Sequence, residues 1–284
     1  MGDPALLTLR KIAGTDLMVS PVGLGTVKLG RDKGVKYPNS FTIPDDQQAR
    51  RLLDLSRDLG INLLDTAPAY GQSEERLGPL LQNQRNHWLI CSKVGEEFDR
   101  LTGQSHFNFT PEHVRFSVER SLKRLQTDVI DILLVHSDGN DMDVIQRYGV
   151  LEQLEQLKAE GKIRAGGMST KTVEGGIETL RRSDIAMVTY NLNYQDELPV
   201  IDYALAAQKG IFIKKALASG HISSEHLNES ATTDPLQASF DLVLGHPGVS
   251  SAIIGTINPQ HLRTNVAAAA DSLSRTDVQN PIIK

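Results

Sequence analysis

The stretch Ile61-Asn-Leu-Leu-Asp65-Thr-Ala-Pro-Ala-Tyr70-Gly71 decides the fold, because an apolar run that predicts a strand leads directly into an acid and a phenol. Two later apolar runs end in the same way. Trp88-Leu-Ile-Cys-Ser leads into Lys93, and Ile130-Asp-Ile-Leu-Leu-Val leads into His136. Four ionisable side chains therefore stand at or just beyond three successive strand ends. In a barrel of parallel strands, this edge carries the chemistry.

Apolar runs alternate with amphipathic segments along the chain, which is typical of repeated βα units around a parallel sheet. Eight such runs predict a (β/α)8 barrel. A doubly wound sheet is the alternative, but it needs a Gly-x-Gly-x-x-Gly turn, and Gly23-Leu-Gly-Thr-Val-Lys-Leu-Gly30 lacks that spacing. The predicted strands are Pro21–Gly25, Ile61–Thr66, Trp88–Val94, Ile130–His136, Ile163–Ser169, Met187–Asn191, Ile211–Ala216 and Ser251–Gly255.

Local signals predict where the helices begin and end. Capping oxygens or a proline, with acids in the first turn, precede the expected helices Gln47–Leu59, Arg76–Gln82 and His113–Leu125. Glycine favours the left-handed conformation that ends many helices. Helix ends just before strands are therefore expected at Gly60, Gly161 and Gly210.

The segments outside the repeated units also have predicted roles. Leu7–Val22 is expected to form a hairpin that closes the bottom of the barrel. The loops Lys28–Pro44 and Leu217–Asp234 exceed the usual length of βα loops, and such loops often cover a substrate or cofactor. No composition shift or linker divides the chain, so residues 1–284 are predicted to form one domain.

Composition excludes several classes of protein. A net charge of −5 without a basic stripe argues against a nucleic-acid partner. No apolar stretch is long enough to span a membrane, and the N-terminus lacks the features of a secretion signal. The single cysteine, Cys91, allows no intrachain disulfide and fits a reducing compartment. We therefore expect a cytoplasmic protein, and no metal site is predicted.

The four strand-end residues suit proton transfer to a carbonyl oxygen. Tyrosine is a poor acid near neutrality, but the ammonium of Lys93 would favour the phenolate of Tyr70, and Asp65 would hold that lysine charged. The phenol is thus predicted to have a pKa lowered toward the working pH, with His136 orienting the substrate oxygen. Because no side chain donates hydride, this chemistry requires a cofactor. Each of these residues, taken alone, could have a purely structural role. The prediction of proton transfer therefore depends on all four occurring together at adjacent strand ends.

The motifs closely resemble those of the aldo-keto reductase superfamily, nearly from end to end. This resemblance implies a (β/α)8 barrel that binds NADPH without a Rossmann domain and reduces aldehydes or ketones. The matching segments are Gly23-Leu-Gly-Thr26, Asp65-Thr-Ala-Pro-Ala-Tyr-Gly71 with Ser73-Glu-Glu-Arg-Leu-Gly78, Cys91-Ser-Lys93, Asp131-Ile-Leu-Leu-Val-His136, Gly161-Lys-Ile-Arg-Ala-Gly-Gly-Met-Ser169, Tyr190-Asn-Leu192, and Gly255-Thr-Ile-Asn-Pro259 through Asn265.

The resemblance also implies roles for individual residues. Tyr70 is similar to the family's acid, with Lys93 and Asp65 as its tuning pair and His136 as the carbonyl-orienting residue. Ser169 would bind the nicotinamide carboxamide, with Thr170 beside it. The remaining cofactor positions implied are Gly25, Thr26 and Asp65 near the first strands, Lys215, Ala216, Leu217, Ser219 and Gly220 along the pyrophosphate, and Gly255, Thr256, Asn258, His261, Leu262 and Asn265 around the adenosine.

The chain departs from the family pattern around the nicotinamide. Met187 stands where a carboxamide-binding glutamine is usual, and Lys214 follows Ile213 where many relatives carry a stacking aromatic residue. At the adenosine end, the usual basic residues are replaced by Gly255 and His261. NADPH is the expected cofactor, with NADH as the alternative.

Two other functions fit parts of the pattern. Lys93 suits a Schiff-base nucleophile in a barrel aldolase, although Asp65 would keep that lysine protonated. A slow-turnover, redox-sensing subunit that binds the cofactor and a protein partner is the second alternative. The leading prediction is a monomeric enzyme acting on a small-molecule carbonyl substrate.

Overall fold

The computed structural model describes residues 7–35, 37–220 and 234–279. The strands within these residues are β1 (Arg10–Lys11), β2 (Met18–Val19), β3 (Val22–Gly25), β4 (Leu63–Asp65), β5 (Leu89–Val94), β6 (Glu96–Phe98), β7 (Ser105–Phe107), β8 (Ile130–His136), β9 (Ile163–Ser169), β10 (Ile185–Thr189), β11 (Gly210–Lys214) and β12 (Ser251–Ile254). Eight of them form a closed parallel barrel in the order β10-β11-β12-β3-β4-β5-β8-β9. The predicted (β/α)8 architecture is confirmed.

Helices cover the outside of the barrel. The amphipathic faces of these helices pack on the outward apolar side chains of the strands, which accounts for the larger of two core clusters. The helices are α1 (Val27–Gly30), α2 (Asp46–Asp58), α3 (Ser73–Leu80), α4 (Pro111–Leu125), α5 (Asp141–Tyr148), α6 (Val150–Ala159), α7 (Val173–Arg182), α8 (Leu198–Ala207), α9 (Pro235–Leu244) and α10 (Pro259–Gln279).

The predicted hairpin closes the bottom of the barrel. Strands β1 and β2 pair in antiparallel fashion, and the fully buried Ile12, Leu17 and Val19 join the cluster that fills the barrel interior. Cys91 belongs to the same interior cluster, two residues before Lys93 on β5. The lower barrel is therefore filled by side chains, which leaves the opposite mouth as the place for a candidate site.

Most predicted helix ends are correct, and one is wrong. Asp45 accepts from the backbone N–H of Gln48 in a capping box at the start of α2, while Gly60 and Gly161 adopt the expected positive φ after helices. Gly210 instead begins β11. The left-handed residue that ends α8 is Gln208, at φ 55°, because Gly210 already lies in the ladder beside Ile185 of β10.

The loops at the barrel mouth differ from the prediction in one respect. The segment after β5 folds into a second hairpin, β6 and β7, which was not predicted. The long loop after β3 folds across the mouth, so that a Cβ added at Gly255 would lie 3.1 Å from the Tyr37 hydroxyl and one added at Gly220 would lie 3.4 Å from Pro38. Most of the other long loop, residues 221–233, lies outside the described residues.

Candidate active site

A buried carboxylate links the first three predicted residues. Asp65, at the end of β4, accepts from the Tyr70 hydroxyl at 3.2 Å through Oδ2, and its Oδ1 is paired with the ammonium of Lys93. Lys93 Nζ also donates to the carbonyl of Thr66 at 3.0 Å and lies 4.7 Å from the centre of the Tyr70 ring. The structure thus brings Asp65, Tyr70 and Lys93 into one cluster.

The pKa of Tyr70 moves in the direction opposite to the prediction. Burial raises it, the Asp65 carboxylate raises it further, and the opposing effect of the Lys93 ammonium is too small to reverse the shift. The predicted lowering is therefore wrong for this structure. In its place, the site holds a phenol that stays neutral, and so keeps its proton, over the whole physiological pH range.

Lys93 is held in its charged form. Burial is the largest single effect and by itself would lower its pKa, but the combined effects of Asp65, Tyr70 and Cys91 outweigh burial and raise it. The side chains of Lys93 and Asp65 expose only 1% and 5% of their surface. A buried ammonium with a paired carboxylate is a fixed positive charge, which suits stabilisation of a neighbouring anion better than nucleophilic attack.

His136 completes the cluster from β8 and brings an unpredicted carboxylate with it. The rings of His136 and Tyr70 lie edge to face at 6.3 Å. Glu96 Oε2 lies 2.9 Å from His136 Nδ1, although the two are not aligned as a straight hydrogen bond. Arg31 stands behind Glu96 at 3.8 Å and donates to the carbonyl of Ala69.

The pKa values of this pair follow from burial and charge. Burial lowers the pKa of His136, and Glu96 opposes that shift. Burial would raise the pKa of Glu96, but His136, Ser105 and Arg31 outweigh it and lower the pKa to about 2. At neutral pH, Glu96 is therefore an anion beside a mostly neutral imidazole. Because a carboxylate only accepts, Nδ1 is the nitrogen of His136 that would carry a proton toward it.

Thr26, just after β3, takes part in a buried network of hydroxyl groups. Its buried hydroxyl donates to the carbonyl of Asp65 at 2.9 Å and accepts from Ser73 at 2.7 Å, and Thr66 donates to the same serine at 3.1 Å. This chain of hydroxyls ties β3, β4 and α3 together beneath the active carboxylate. The hydroxyl of Thr26 thus has two partners within the protein, and its contact with a cofactor stays a prediction. Gly25 precedes it at the partly exposed end of β3.

The ends of β9, β10 and β11 form the other side of the mouth. Lys214, the last residue of β11, extends across β10 to donate to Ser169 Oγ at 3.0 Å and to the carbonyl of Thr170. Ser169 and Thr170 are both nearly fully buried, and Thr170 Oγ1 has no hydrogen-bond partner among the described residues. The predicted Ser169 and Thr170 therefore lie together, bridged by a lysine that sequence reasoning did not assign to the site.

The turn after β11 has an unusual backbone. Lys215, Ala218 and Ser219 are non-glycine residues with positive φ, at 55°, 45° and 58°, and Gly220 follows at 91°. Side chains disfavour this region, so such residues mark positions where the surrounding structure imposes the conformation. Successive backbone N–H groups in turns of this kind can form concavities that bind anions. The predicted positions Lys215 to Gly220, including Ala216 and Leu217, make up this turn.

The predicted adenosine positions cluster at the start of α10. Asn258 accepts from the backbone N–H groups of Gln260 and His261, and Thr256 accepts from Asn258 N at 3.1 Å. Gly255 and His261 are exposed, and Asn265 is 9% exposed one turn later. The side chain of Leu262 is fully buried and belongs to the hydrophobic core.

Glu96 and Lys214 are the residues that sequence reasoning missed. Glu96 lies in the hairpin after β5, and its contact with His136 depends on a loop conformation that no motif predicts. Lys214 carried a weak signal, as a charged residue at the end of an apolar strand. Its position matches Lys93 on β5, where the same signal was used.

Comparison with known proteins agrees with this geometry. The model of the Aldo/keto reductase family matches residues 21–239. This chain belongs to that family. A solved structure of a Pseudomonas aeruginosa protein assigned to the aldo-keto reductases is 58% identical, covers 93% of this chain and 95% of its own, and has a TM-score of 0.83.

Two curated relatives extend the comparison. An uncharacterised oxidoreductase of Bacillus subtilis is 29% identical over 92% of this chain and 90% of its own length. The NADH-specific methylglyoxal reductase of Escherichia coli is 26% identical over 93% and 94%. Membership of the aldo-keto reductases and these oxidoreductase relatives support an enzyme that reduces carbonyl groups. Of the helices described, none is both long and apolar enough to cross a membrane.

Proposed function

We propose that this aldo-keto reductase reduces an aldehyde or ketone to an alcohol with NAD(P)H, and that Tyr70 supplies the proton. One observation carries the proposal. The Tyr70 hydroxyl and the Lys93 ammonium contact the two oxygens of the same buried carboxylate, Asp65, at the barrel mouth. The exposed 21% of the His136 side chain borders the same space.

The neutral phenol suits the proton transfer. When hydride reaches a carbonyl carbon, the oxygen becomes an alkoxide, which is a stronger base than a phenolate. Tyr70 can therefore give its proton to that oxygen although its own pKa is raised. The O–H bond of Tyr70 breaks as the O–H bond of the alcohol forms. The fixed charge of Lys93 then stabilises the phenolate left behind.

His136 orients the carbonyl oxygen in this proposal, and Glu96 sets when it can do so. With Nδ1 facing Glu96, a neutral imidazole presents only a lone pair at Nε2, whereas the imidazolium presents an N–H. Donation to the substrate oxygen therefore requires protonated His136. Since its pKa lies below 6.5, we expect the rate of carbonyl reduction to increase as the pH falls toward that pKa.

The residues across the mouth fit a nicotinamide dinucleotide. When bound, its reduced ring supplies the hydride. Ser169 and the unpartnered Thr170 hydroxyl would hold the nicotinamide end, the left-handed turn Lys215–Gly220 the pyrophosphate, and Gly255 through Asn265 the adenosine. The first turn of α10 contains no acid and includes His261, so a 2′-phosphate is acceptable there. We propose NADPH as the cofactor, and the NADH-specific relative makes NADH the alternative to test.

The two rival functions receive less support. A Schiff-base aldolase needs an uncharged lysine, but Asp65 raises the pKa of Lys93. A redox-sensing subunit would share the site and differ in turnover, so rapid multiple turnover on simple aldehydes would eliminate it. We also propose a cytoplasmic monomer acting on a small-molecule substrate: the only cysteine, Cys91, is free and buried, which fits a reducing compartment, and a monomer is the default that the family resemblance implies.

Tyr70→Phe tests the proposal. It removes the hydroxyl and keeps the ring, so carbonyl reduction should fall roughly 10²–10⁴-fold, the usual contribution of a positioned acid. Parallel fluorescence titrations with NADPH and NADH should show binding to the wild type and unchanged affinity in the variant. Wild-type reduction rates in Tyr70→Phe would refute the role of Tyr70. Failure of the wild type to bind either dinucleotide would refute the proposed function as a whole.

A further inference from the structure

Lys214 is a cation at the proposed cofactor side of the mouth, and it has not been given a role above. Its Nζ spans β10, lying 3.0 Å from Ser169 Oγ on β9 and donating to the carbonyl of Thr170. The register places Lys214 beside Thr189 and Ser169 beside Met187. The ammonium therefore lies above the strand that carries Met187, next to the serine proposed to hold the nicotinamide end.

The charge of Lys214 is not cancelled by direct pairing. Among the described residues, no carboxylate lies within ion-pair distance of its Nζ. The carboxylates that act on it from a distance have other partners: Glu197 accepts from Thr189 N at 2.8 Å, and Asp141 accepts from Lys171 N at 2.9 Å. This contrasts with Lys93, whose charge is paired with Asp65.

We propose that Lys214 makes the site discriminate between the two redox forms of the nicotinamide, favouring the reduced, uncharged ring over the oxidised, cationic ring. The inference rests on the proposed function and deepens it. A fixed cation near the ring leaves the neutral form almost unaffected and repels the form that carries a positive charge. At the effective dielectric of a partly buried site, one such charge changes the ratio of the two affinities by roughly tenfold.

This preference would serve carbonyl reduction in two ways. Tight binding of the reduced cofactor loads the enzyme, and weak binding of the oxidised product speeds its release. A residue that penalises only the oxidised form also makes the bound cofactor a weaker hydride donor. Hydride transfer would thus be somewhat less favourable, while the oxidised cofactor would leave faster. Product release is the step that limits turnover in many enzymes.

The charge of Lys214 itself depends on pH. Burial is the main effect and lowers its pKa to about 8, with Lys215 and Lys171 acting in the same direction and Glu197 and Asp141 opposing them. The ammonium is the main form at pH 7. The discrimination between redox forms should therefore weaken as the pH rises through about 8.

Equilibrium titrations of both cofactor forms test the inference. The quantity measured is the Kd of the oxidised form divided by the Kd of the reduced form. Lys214→Met removes the charge and keeps the length, and Lys214→Gln also keeps a hydrogen-bond donor. We expect the ratio to fall roughly tenfold in both variants, mainly through tighter binding of the oxidised form.

Two controls make the result specific. Lys123→Met changes the net charge equally on the exposed side of α4, and should leave the ratio of the two Kd values unchanged.

The second control uses the wild type with NAD⁺ and NADH. Because neither carries the 2′-phosphate, no cofactor group titrates between pH 7 and 9, and the ratio of their Kd values reports on Lys214. It should fall with rising pH, and the Lys214→Met profile should be flat. This wild-type measurement stands even if a variant folds poorly.

Several outcomes would overturn the inference. A ratio within twofold of the wild type in Lys214→Met would show that the charge has no effect. A Lys214→Gln variant with the wild-type ratio would assign the effect to hydrogen bonding. Either result would refute the role of Lys214 while the proposed function stands, whereas a wild type that binds neither form would refute both.

Discussion

The two sides of the barrel mouth differ in how many of their polar and charged groups already have a partner within the protein. On the proposed acid-base side, formed by Asp65, Tyr70, Lys93 and His136, each charged group faces a partner, including Glu96 beside His136. On the proposed cofactor side, formed by Ser169, Thr170, Lys214 and the turn Lys215–Gly220, a buried hydroxyl lacks a partner among the described residues and three non-glycine residues are left-handed.

This difference is what the two proposed roles, proton transfer and cofactor binding, would require. A proton donor works best when its charges are fixed before the substrate arrives, because no rearrangement is then needed during the reaction. A dinucleotide site gains partners only when the ligand binds, so its polar groups are incomplete alone. The acid-base side should therefore tolerate the loss of one partner badly, and the cofactor side should tolerate it well.

The stability of two lysine variants tests this comparison most strongly. Lys93→Met leaves the buried Asp65 carboxylate without its cation, and should lower the free energy of unfolding by about 3–5 kcal/mol. Lys214→Met removes a lysine that has no ion pair among the described residues, and should cost about 1 kcal/mol for its lost hydrogen bonds. Urea unfolding of both variants beside the wild type gives the two values.

A double variant distinguishes charge from packing. Asp65→Asn combined with Lys93→Met removes both charges of the pair, and should recover part of the stability lost in Lys93→Met. If Lys93→Met and Lys214→Met lowered the free energy of unfolding by the same amount, the groups of the acid-base side would depend on their partners no more than those of the cofactor side. The comparison would then fail.

Glu96→Gln tests the pairing of His136 with a smaller expected effect. The Glu96 carboxylate opposes the lowering of the His136 pKa by burial. Without it, this pKa should fall further, and less imidazolium should be present at any given pH. We expect kcat/KM for carbonyl reduction to fall about tenfold at neutral pH, and the acid-side rise in rate to move to lower pH. NMR titration of His136 measures the pKa directly.

The neighbouring acid provides the matched control. Glu97, also on β6, pairs with Arg120 and His113 on α4 instead of His136. Glu97→Gln should therefore leave the pKa of His136 and the pH profile unchanged. A shifted profile in Glu97→Gln, or an unshifted one in Glu96→Gln, would remove Glu96 from its positioning role.

The sequence was most informative where local pattern and site coincide. Asp65, Lys93 and His136 each follow an apolar run, and parallel strands bring such ends to one edge, so strand prediction alone placed these residues together. The barrel follows from the same periodicity. Errors at strand ends were at most two residues, as at β10, which begins at Ile185 where Met187 was predicted.

The sequence was least informative where contacts depend on loops or on competing charges. Glu96 meets His136 only because residues after β5 form a hairpin. The pKa of Tyr70 depends on burial and on which neighbour is closest, and Asp65 proved to be its direct hydrogen-bond partner. A motif match also does not show which way a side chain points: the side chains of Thr26 and Leu262 are buried in the framework, and their cofactor contacts stay predictions.

Ser219 offers the smallest and most local test of the cofactor side. At φ 58° its side chain is in a region that costs a non-glycine residue about 1–2 kcal/mol, whereas glycine is at ease there but loses more chain entropy on folding. Ser219→Gly should therefore raise the free energy of unfolding by about 0.5–1 kcal/mol in the absence of cofactor, and Ser219→Ala should have almost no effect. Denaturant unfolding of the pair measures the difference. Stabilisation by glycine alone would show that Ser219 is held in a costly conformation in the folded protein. Destabilisation by glycine would mean that the cofactor side carries no such strain, and that its contrast with the acid-base side lies in unpaired polar groups only.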